Sequence, residues 1–141
     1  MDAKTLDIQQ EVVVSAPKER VFDALVHRFT DGNYGQEKAP MPMKMELWPG
    51  GRWYRDLGDG RGHLWGHVQS IKKGELLEFY GPLFMSFPVT NNVIIRFTEE
   101  DGKTTISFSH RGFGLIEMSH IEGLTEGWAD YLATIKQDCE S

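Results

Sequence analysis

Ser119-His120-Ile121-Glu122-Gly123-Leu124-Thr125-Glu126-Gly127-Trp128-Ala129-Asp130-Tyr131-Leu132-Ala133-Thr134-Ile135 decides the fold. Ile121, Leu124, Trp128, Leu132 and Ile135 recur at steps of three and four over about four turns, the spacing of one apolar face on an α-helix. No proline interrupts the run, and Ser119 stands where a cap is expected. Glu122, Glu126 and Asp130 lie four apart on the opposite face. Like charges at that spacing repel by a few tenths of a kcal/mol, which fits a solvated face; an acidic docking strip for a basic partner is the alternative.

A helix with so continuous an apolar stripe needs a surface to cover, and the residues before it supply one. Leu6 to Val14 ends in Val12-Val13-Val14 and reads as a strand, since β-branched side chains fit a pleated surface. Pro17 to His27 is a shorter amphipathic helix, with proline at a first helical position and Val21, Phe22, Leu25 and Phe29 spaced for one face. Thr30 to Pro42, rich in Gly and Pro, is a loop with room for one helical turn.

From Met43 the period becomes two. Met43, Met45 and Leu47 alternate with Lys44 and Glu46, Trp48-Pro49-Gly50-Gly51 turns the chain, and Arg52 to Asp56 returns. Strands follow at His63 to Ile71, Leu76 to Tyr80, Val93 to Thr98 and Thr104 to His110, separated by Gly58-Asp59-Gly60, Lys72-Lys73-Gly74 and Glu99-Glu100-Asp101-Gly102-Lys103. The order is strand, helix, six mostly hairpin-linked strands and a long helix. Such a set buries its faces as an α+β fold, in which a sheet of about seven antiparallel strands curls around the final helix. An apolar cavity follows wherever the inward side chains leave space.

Composition narrows the function. The chain of 141 residues is one domain's worth, spanning 1–141, and its 40% hydrophobic and 26% charged residues are ordinary for a globular protein. Fifteen Lys and Arg against 21 Asp and Glu give a net charge of -6, which argues against nucleic acid and anionic membrane as partners. A lone Cys139, no long apolar run and no signal-like segment after Met1-Asp2-Ala3-Lys4 point to the cytoplasm. Monomer and homodimer both stay open.

Catalytic signatures are absent: no Gly-Lys-Ser/Thr phosphate loop, no His-Glu-x-x-His, no Cys-x-x-Cys, no Gly-x-Ser-x-Gly. Gly58, Gly60 and Gly62 precede a strand and read as a turn. His63 and His67 share one strand face with Trp65, opposite Leu64 and Val68, yet four residues at about 3.3 Å each hold them roughly 13 Å apart, too far for two ligands of one zinc. No metal and no cofactor is expected. Whether that face looks inward or to solvent is left open by the pattern. His110 continues the inward register of Ile106 and Phe108, against Thr105, Ser107 and Ser109 outward, and is the one candidate acid or base; a half-buried structural histidine at the sheet rim is the alternative. Flat apolar surface is plentiful, and Trp53, Trp65, Tyr80, Phe84, Phe108, His110, Trp128 and Tyr131 are the candidate cavity lining.

Four pieces in order carry a resemblance: Val13-Val14-Ser15-Ala16-Pro17-Lys18-Glu19-Arg20-Val21-Phe22-Asp23-Ala24-Leu25; Trp48-Pro49-Gly50-Gly51-Arg52-Trp53; Gly66-His67-Val68 with Leu76-Leu77-Glu78-Phe79; and Gly127-Trp128 with Tyr131-Leu132 and Ile135. The chain resembles the Aha-like family, named for an activator of a heat-shock-protein ATPase, of the START-related helix-grip superfamily, also called polyketide cyclase/dehydrase-like. The resemblance implies a helix-grip fold with an apolar cavity between sheet and last helix. Superfamily members bind lipids, sterols, hormones or polyketides, and some cyclise polyketides. Thr104 to Gly114 also resembles the family's last strand and the loop after it, which puts His110 where that strand meets the cavity. The chaperone activator carries a further amino-terminal module, for which a chain starting its first strand near Leu6 has no room. The expectation is therefore a binder of a small hydrophobic or aromatic molecule, in stress response or detoxification. A cyclase or hydrolase using His110 and a chaperone-interacting module are the alternatives.

Overall fold

The computed structural model describes residues 2–141; Met1, at the head of the segment read for a targeting signal, and the side chain of Gln36 lie outside the described part. The elements are β1 (Lys4–Val14), α1 (Lys18–Phe29), a 3-10 turn (Gln36–Lys38), β2 (Lys44–Met45), β3 (Arg52–Gly58), β4 (Arg61–Lys72), β5 (Leu76–Tyr80), β6 (Val89–Glu100), β7 (Lys103–Gly114) and α2 (Met118–Glu140). All seven strands form one antiparallel sheet in the order β1-β7-β6-β5-β4-β3-β2. Chain order and sheet order agree except for β1, which closes on β7. The α+β helix-grip architecture is the one the element order predicts.

Register explains why the inner face is continuous. Phe79 pairs with Val93, Leu77 with Ile95, Ile95 with Phe108 and Val93 with His110, so buried side chains of three strands stand side by side. Leu124, Trp128, Leu132, Ile135 and Cys139 of α2 cover them, while Val21, Phe22, Leu25 and Phe29 of α1 close one end. Side chains of that size each gain about 1.5–3 kcal/mol on burial, which makes the α2 face the main reason the sheet keeps its curl.

Two helix starts differ from expectation. Pro17 precedes α1 in an extended conformation instead of opening it. Ser119 is not the cap of α2: that helix begins one residue earlier, after an extended Glu117, because Ile116 is fully buried and fixes the chain at the exit of β7. β6 and β7 are also longer than the pattern indicates, running through Asn91, Asn92 and Arg111 to a shared end at Val89 and Gly114.

The alternation expected along β4 fails for a local reason. Trp53 pairs with Gly66, but Tyr54 pairs with Leu64, which leaves Trp65 as the extra residue of a β-bulge. Gly66 is required there, since a Cβ would meet the Tyr80 carbonyl oxygen at 2.6 Å. The bulge turns Trp65 inward on the same side as Val68, whereas His67 points out, its Nδ1 3.1 Å from the Gly50 carbonyl and its ring 5.8 Å from Tyr80. His63, Trp65 and His67 therefore do not share a face.

His110 lies deeper than a rim residue. It is 0% exposed, and both ring nitrogens are engaged: the Trp128 indole N–H donates to Nδ1 at 2.9 Å, and Nε2 lies 2.7 Å from Asn91 Oδ1. Because Nδ1 accepts, the ring proton sits on Nε2 and is donated to Asn91. Asn91 passes the chain on, its amide donating to the Gly81 carbonyl at 3.0 Å. Burial pulls the His110 pKa from 6.5 down to about 4, so the imidazole is neutral in the folded protein.

Two predictions follow from this core. Trp128→Ala should cost about 3–5 kcal/mol in denaturant unfolding, since it empties the space under α2 and orphans the His110 nitrogen. The unfolded chain takes up the His110 proton near pH 6.5 and the folded chain only near 4. The contribution of His110 is therefore complete above pH 6.5 and drains away between 6.5 and 4, by up to about 3 kcal/mol. His110→Gln should be less stable than wild type at pH 8, with a gap that narrows as pH falls through that window; a gap independent of pH would contradict the neutral, buried imidazole.

Candidate functional site

The interior of the grip is filled. Trp53 stacks on Phe29 with ring centroids 5.1 Å apart, meets Phe79 edge to face at 5.1 Å, and donates its indole N–H to the Phe29 carbonyl at 2.8 Å. Phe108 lies 4.8 Å from Trp128. These rings occupy the space that a closed cavity would need. An open cleft of about 610 Å³ lies at the amino-terminal half of α2, between that helix, the β4 bulge and two loops. Its size is within the usual range for a small-molecule site.

Each wall has a local cause. The bulge delivers Trp65, 8% exposed, to the sheet side, where it contacts Trp53 and Phe84 edge to face at 5.0 and 5.4 Å. Phe84, from the β5–β6 loop, also approaches Trp128 at 5.9 Å and His120 at 6.1 Å. On the helix side Gly123 and Gly127 lie four residues apart and so on one stripe, and a Cβ at either would touch nothing within 4 Å. Glycine costs about 1 kcal/mol relative to alanine inside a helix, so this bare stripe is a local sacrifice of stability that leaves open volume.

The third wall, Tyr34 to Met41, is pinned by a buried cation. Arg28 is 2% exposed, with its guanidinium 3.7 Å from the ring centroids of both Tyr34 and Tyr131. It donates to Asn33 Oδ1 at 2.9 Å and reaches Asp130 at 3.4 Å. Tyr131 donates to the same Asn33 oxygen at 2.6 Å, and Tyr34 to Asp130 at 2.6 Å. A guanidinium held between two aromatic faces and bonded to a carboxylate satisfies a charge that would otherwise be costly to bury. The network ties α1, the loop and α2 into one rigid corner. Burial pushes the Tyr131 phenol up to about 12, so it remains a protonated donor.

Of the residues expected at the site, Trp65, Phe84, Trp128 and Tyr131 line the cleft. Trp53, Phe108 and His110 belong to the filled interior, and Tyr80 lies on the outer face, 44% exposed beside His67, because Phe79 takes the inward position of that strand. His110 is thus out of reach of a molecule in the cleft, with neither nitrogen free for proton transfer. His120 stands there instead. Its ring packs 5.4 Å from Phe87, and its buried Nε2 has no hydrogen-bond partner. Tyr34, Gly35, Met41, Ser119, Gly123, Leu124 and Gly127 complete the lining; the two helical glycines are the signal in the sequence that points to open space on α2. Among the described residues no three His, Cys, Asp or Glu side chains gather as a metal site would require, and no helix is long and apolar enough to cross a membrane.

The fold recurs in solved structures. An uncharacterised protein of Rhizobium leguminosarum superposes with a TM-score of 0.74 at 19% identity, covering 99% of this chain and 97% of its own. A protein of Chromobacterium violaceum gives 0.72 at 18% identity over 96% and 97%, and CalU16 of Micromonospora echinospora gives 0.63 at 14% identity over 99% and 87%. At such identities the likeness establishes architecture alone. No curated protein matches the chain. The family model described as Activator of Hsp90 ATPase homolog 1-like protein matches residues 15–140, nearly the whole domain. The chain, with its helix-grip fold, belongs to the Activator of Hsp90 ATPase homolog 1-like family.

Proposed function

We propose that the cleft under the amino-terminal half of α2 binds a small, largely apolar molecule bearing an aromatic or similarly flat group. The observation that carries this reading is the pair Gly123 and Gly127, which keeps a helix face bare opposite Trp65 and Phe84 at a cost to helix stability. Aromatic walls from three separate elements favour a flat partner, and the free Nε2 of His120 offers one hydrogen bond to fix its orientation.

Binding without turnover is the better reading. His110, the acid-base candidate of the sequence, is enclosed and doubly bonded, and the Tyr131 hydroxyl is committed to Asn33. Ser119 and His120 both line the cleft, but among the described residues no hydrogen bond joins them, so the paired nucleophile and base that covalent catalysis needs are not assembled there. Holding a small apolar compound out of water suits sequestration or carriage, as in detoxification or a stress response, in the cytoplasm. The acidic row of α2 gives little support to a chaperone-docking strip, since Asp130 is already bonded to Tyr34 and Arg28.

Two substitutions at one position test the site. Gly127→Ala should raise stability by about 1 kcal/mol, because the new methyl meets open space and the helix gains propensity. Gly127→Leu should fold cooperatively but occupy the cleft, and 2-naphthol, followed by quenching of tryptophan emission, should bind it at least about tenfold more weakly than wild type. The naphthol should be recovered unchanged. Equal affinity in wild type and folded Gly127→Leu would remove the cleft as the binding site, and a new product would overturn the non-catalytic reading.

A further inference from the structure

A second cleft, of about 520 Å³, opens beside the first and shares Met41, Trp65 and Phe84 with it, so the two form one continuous groove. Its character differs. Where the first is walled by rings and bare helix, the second carries Arg55 of β3 and His63 of β4, which stand directly opposite each other in the strand register. Directly opposed side chains in an antiparallel pair start about 4.5–5.5 Å apart at Cβ, a separation over which two nitrogen donors can hold the two oxygens of one carboxylate.

Arg55 is half-buried, and among the described residues none of the ion pairs or side-chain hydrogen bonds includes it. Asp56, next along β3, is turned to Lys44 at 3.1 Å and to the Gly58 N–H at 2.9 Å. In a chain with 21 acids against 15 bases, no Asp or Glu lines either cleft. A guanidinium without a counter-ion, in the acid-free lining of an otherwise acidic protein, is a site of local positive potential.

We propose that the groove takes an amphipathic organic acid, whose apolar body lies between Trp65, Phe84 and the Gly123–Gly127 face and whose carboxylate is held by Arg55 and His63. This rests on the binding reading above and names the ligand class for that site. The bulge at Trp65 makes the arrangement possible, because it carries the inward face of β4 past the tryptophan and brings His63 to the rim beside Arg55. Net repulsion from a protein of charge -6 works against any acid in general, so selectivity for one has to arise locally.

The test uses two probes of one shape, 2-naphthoate and 2-naphthylmethanol, titrated into the intact protein at pH 7.5 by calorimetry. Wild type should bind the acid at least about tenfold more tightly than the alcohol. Arg55→Gln should lose that preference and keep the alcohol affinity, whereas Lys103→Gln, which removes the same charge at the opposite end of the sheet, should retain it. Arg55→Lys should recover part of it. Equal affinity for acid and alcohol in wild type, or a preference that survives Arg55→Gln, overturns the carboxylate site while leaving the apolar cleft standing. If neither probe binds, or if Gly127→Leu leaves the binding of both unchanged, the apolar cleft fails and the carboxylate site with it.

Discussion

The indole of Trp128 has to find a hydrogen-bond acceptor in a place with no water, and much of the domain is arranged around that requirement. His110 accepts the proton, Asn91 accepts the one on the far side of the ring, and Gly81 accepts from Asn91. One chain of polar contacts thus runs from α2 through β7 and β6 to the end of β5, threaded through an otherwise apolar core. Its three side chains, Trp128, His110 and Asn91, are buried, so removing any one leaves a partner unsatisfied in low dielectric, which is far more costly than the bond itself is worth. The small residues nearby follow the same logic: at Gly112 a Cβ would meet Asn91 Oδ1 at 2.7 Å.

Seating Trp128 in this way also decides where open volume can exist. Phe108, Trp53 and Phe79 are buried, and the open cleft beside α2 lies toward its amino terminus, where Gly123 and Gly127 stand in place of large side chains. Arg28, clamped between Tyr34 and Tyr131, keeps the neighbouring loop from collapsing into that gap. Under the proposed binding role, such walls and a bare helix face give preorganisation: a ligand would not have to displace core side chains to enter, and little side-chain entropy would be lost.

The fold was legible in the sequence because its signals are periodic. Ile121 to Ile135 announces the long helix, Ile106-Phe108-His110 the inward register of β7, and each hairpin is marked by glycine. The candidate cleft is legible only in half. Aromatic content points to Trp65, Phe84, Trp128 and Tyr131, which line it, and equally to Trp53, Phe108, His110 and Tyr80, which do not, since ring content does not tell a filled core from an open cleft. Parity misled along β4, where one unpaired residue, Trp65, reverses every inference drawn from alternation beyond it. Arg28 looks like an ordinary polar residue near the end of a helix; its burial depends on Asn33 and Tyr34 in an irregular loop and on Asp130 and Tyr131 about a hundred positions away, and no local pattern encodes that meeting.

If the core of the grip is closed, as proposed, a small apolar ligand meets the protein in the groove beside α2 and not in the interior. Amide and indole N–H resonances followed by NMR during a titration with 2-naphthol test it most directly. The account predicts shifts at the Gly123 and Gly127 amides and at the Trp65 indole, with the Trp53 indole, bonded to Phe29 inside the core, unmoved. Displacement of the Trp53 resonance while those of Gly123 and Gly127 stay in place would show a ligand entering the interior, and would contradict it.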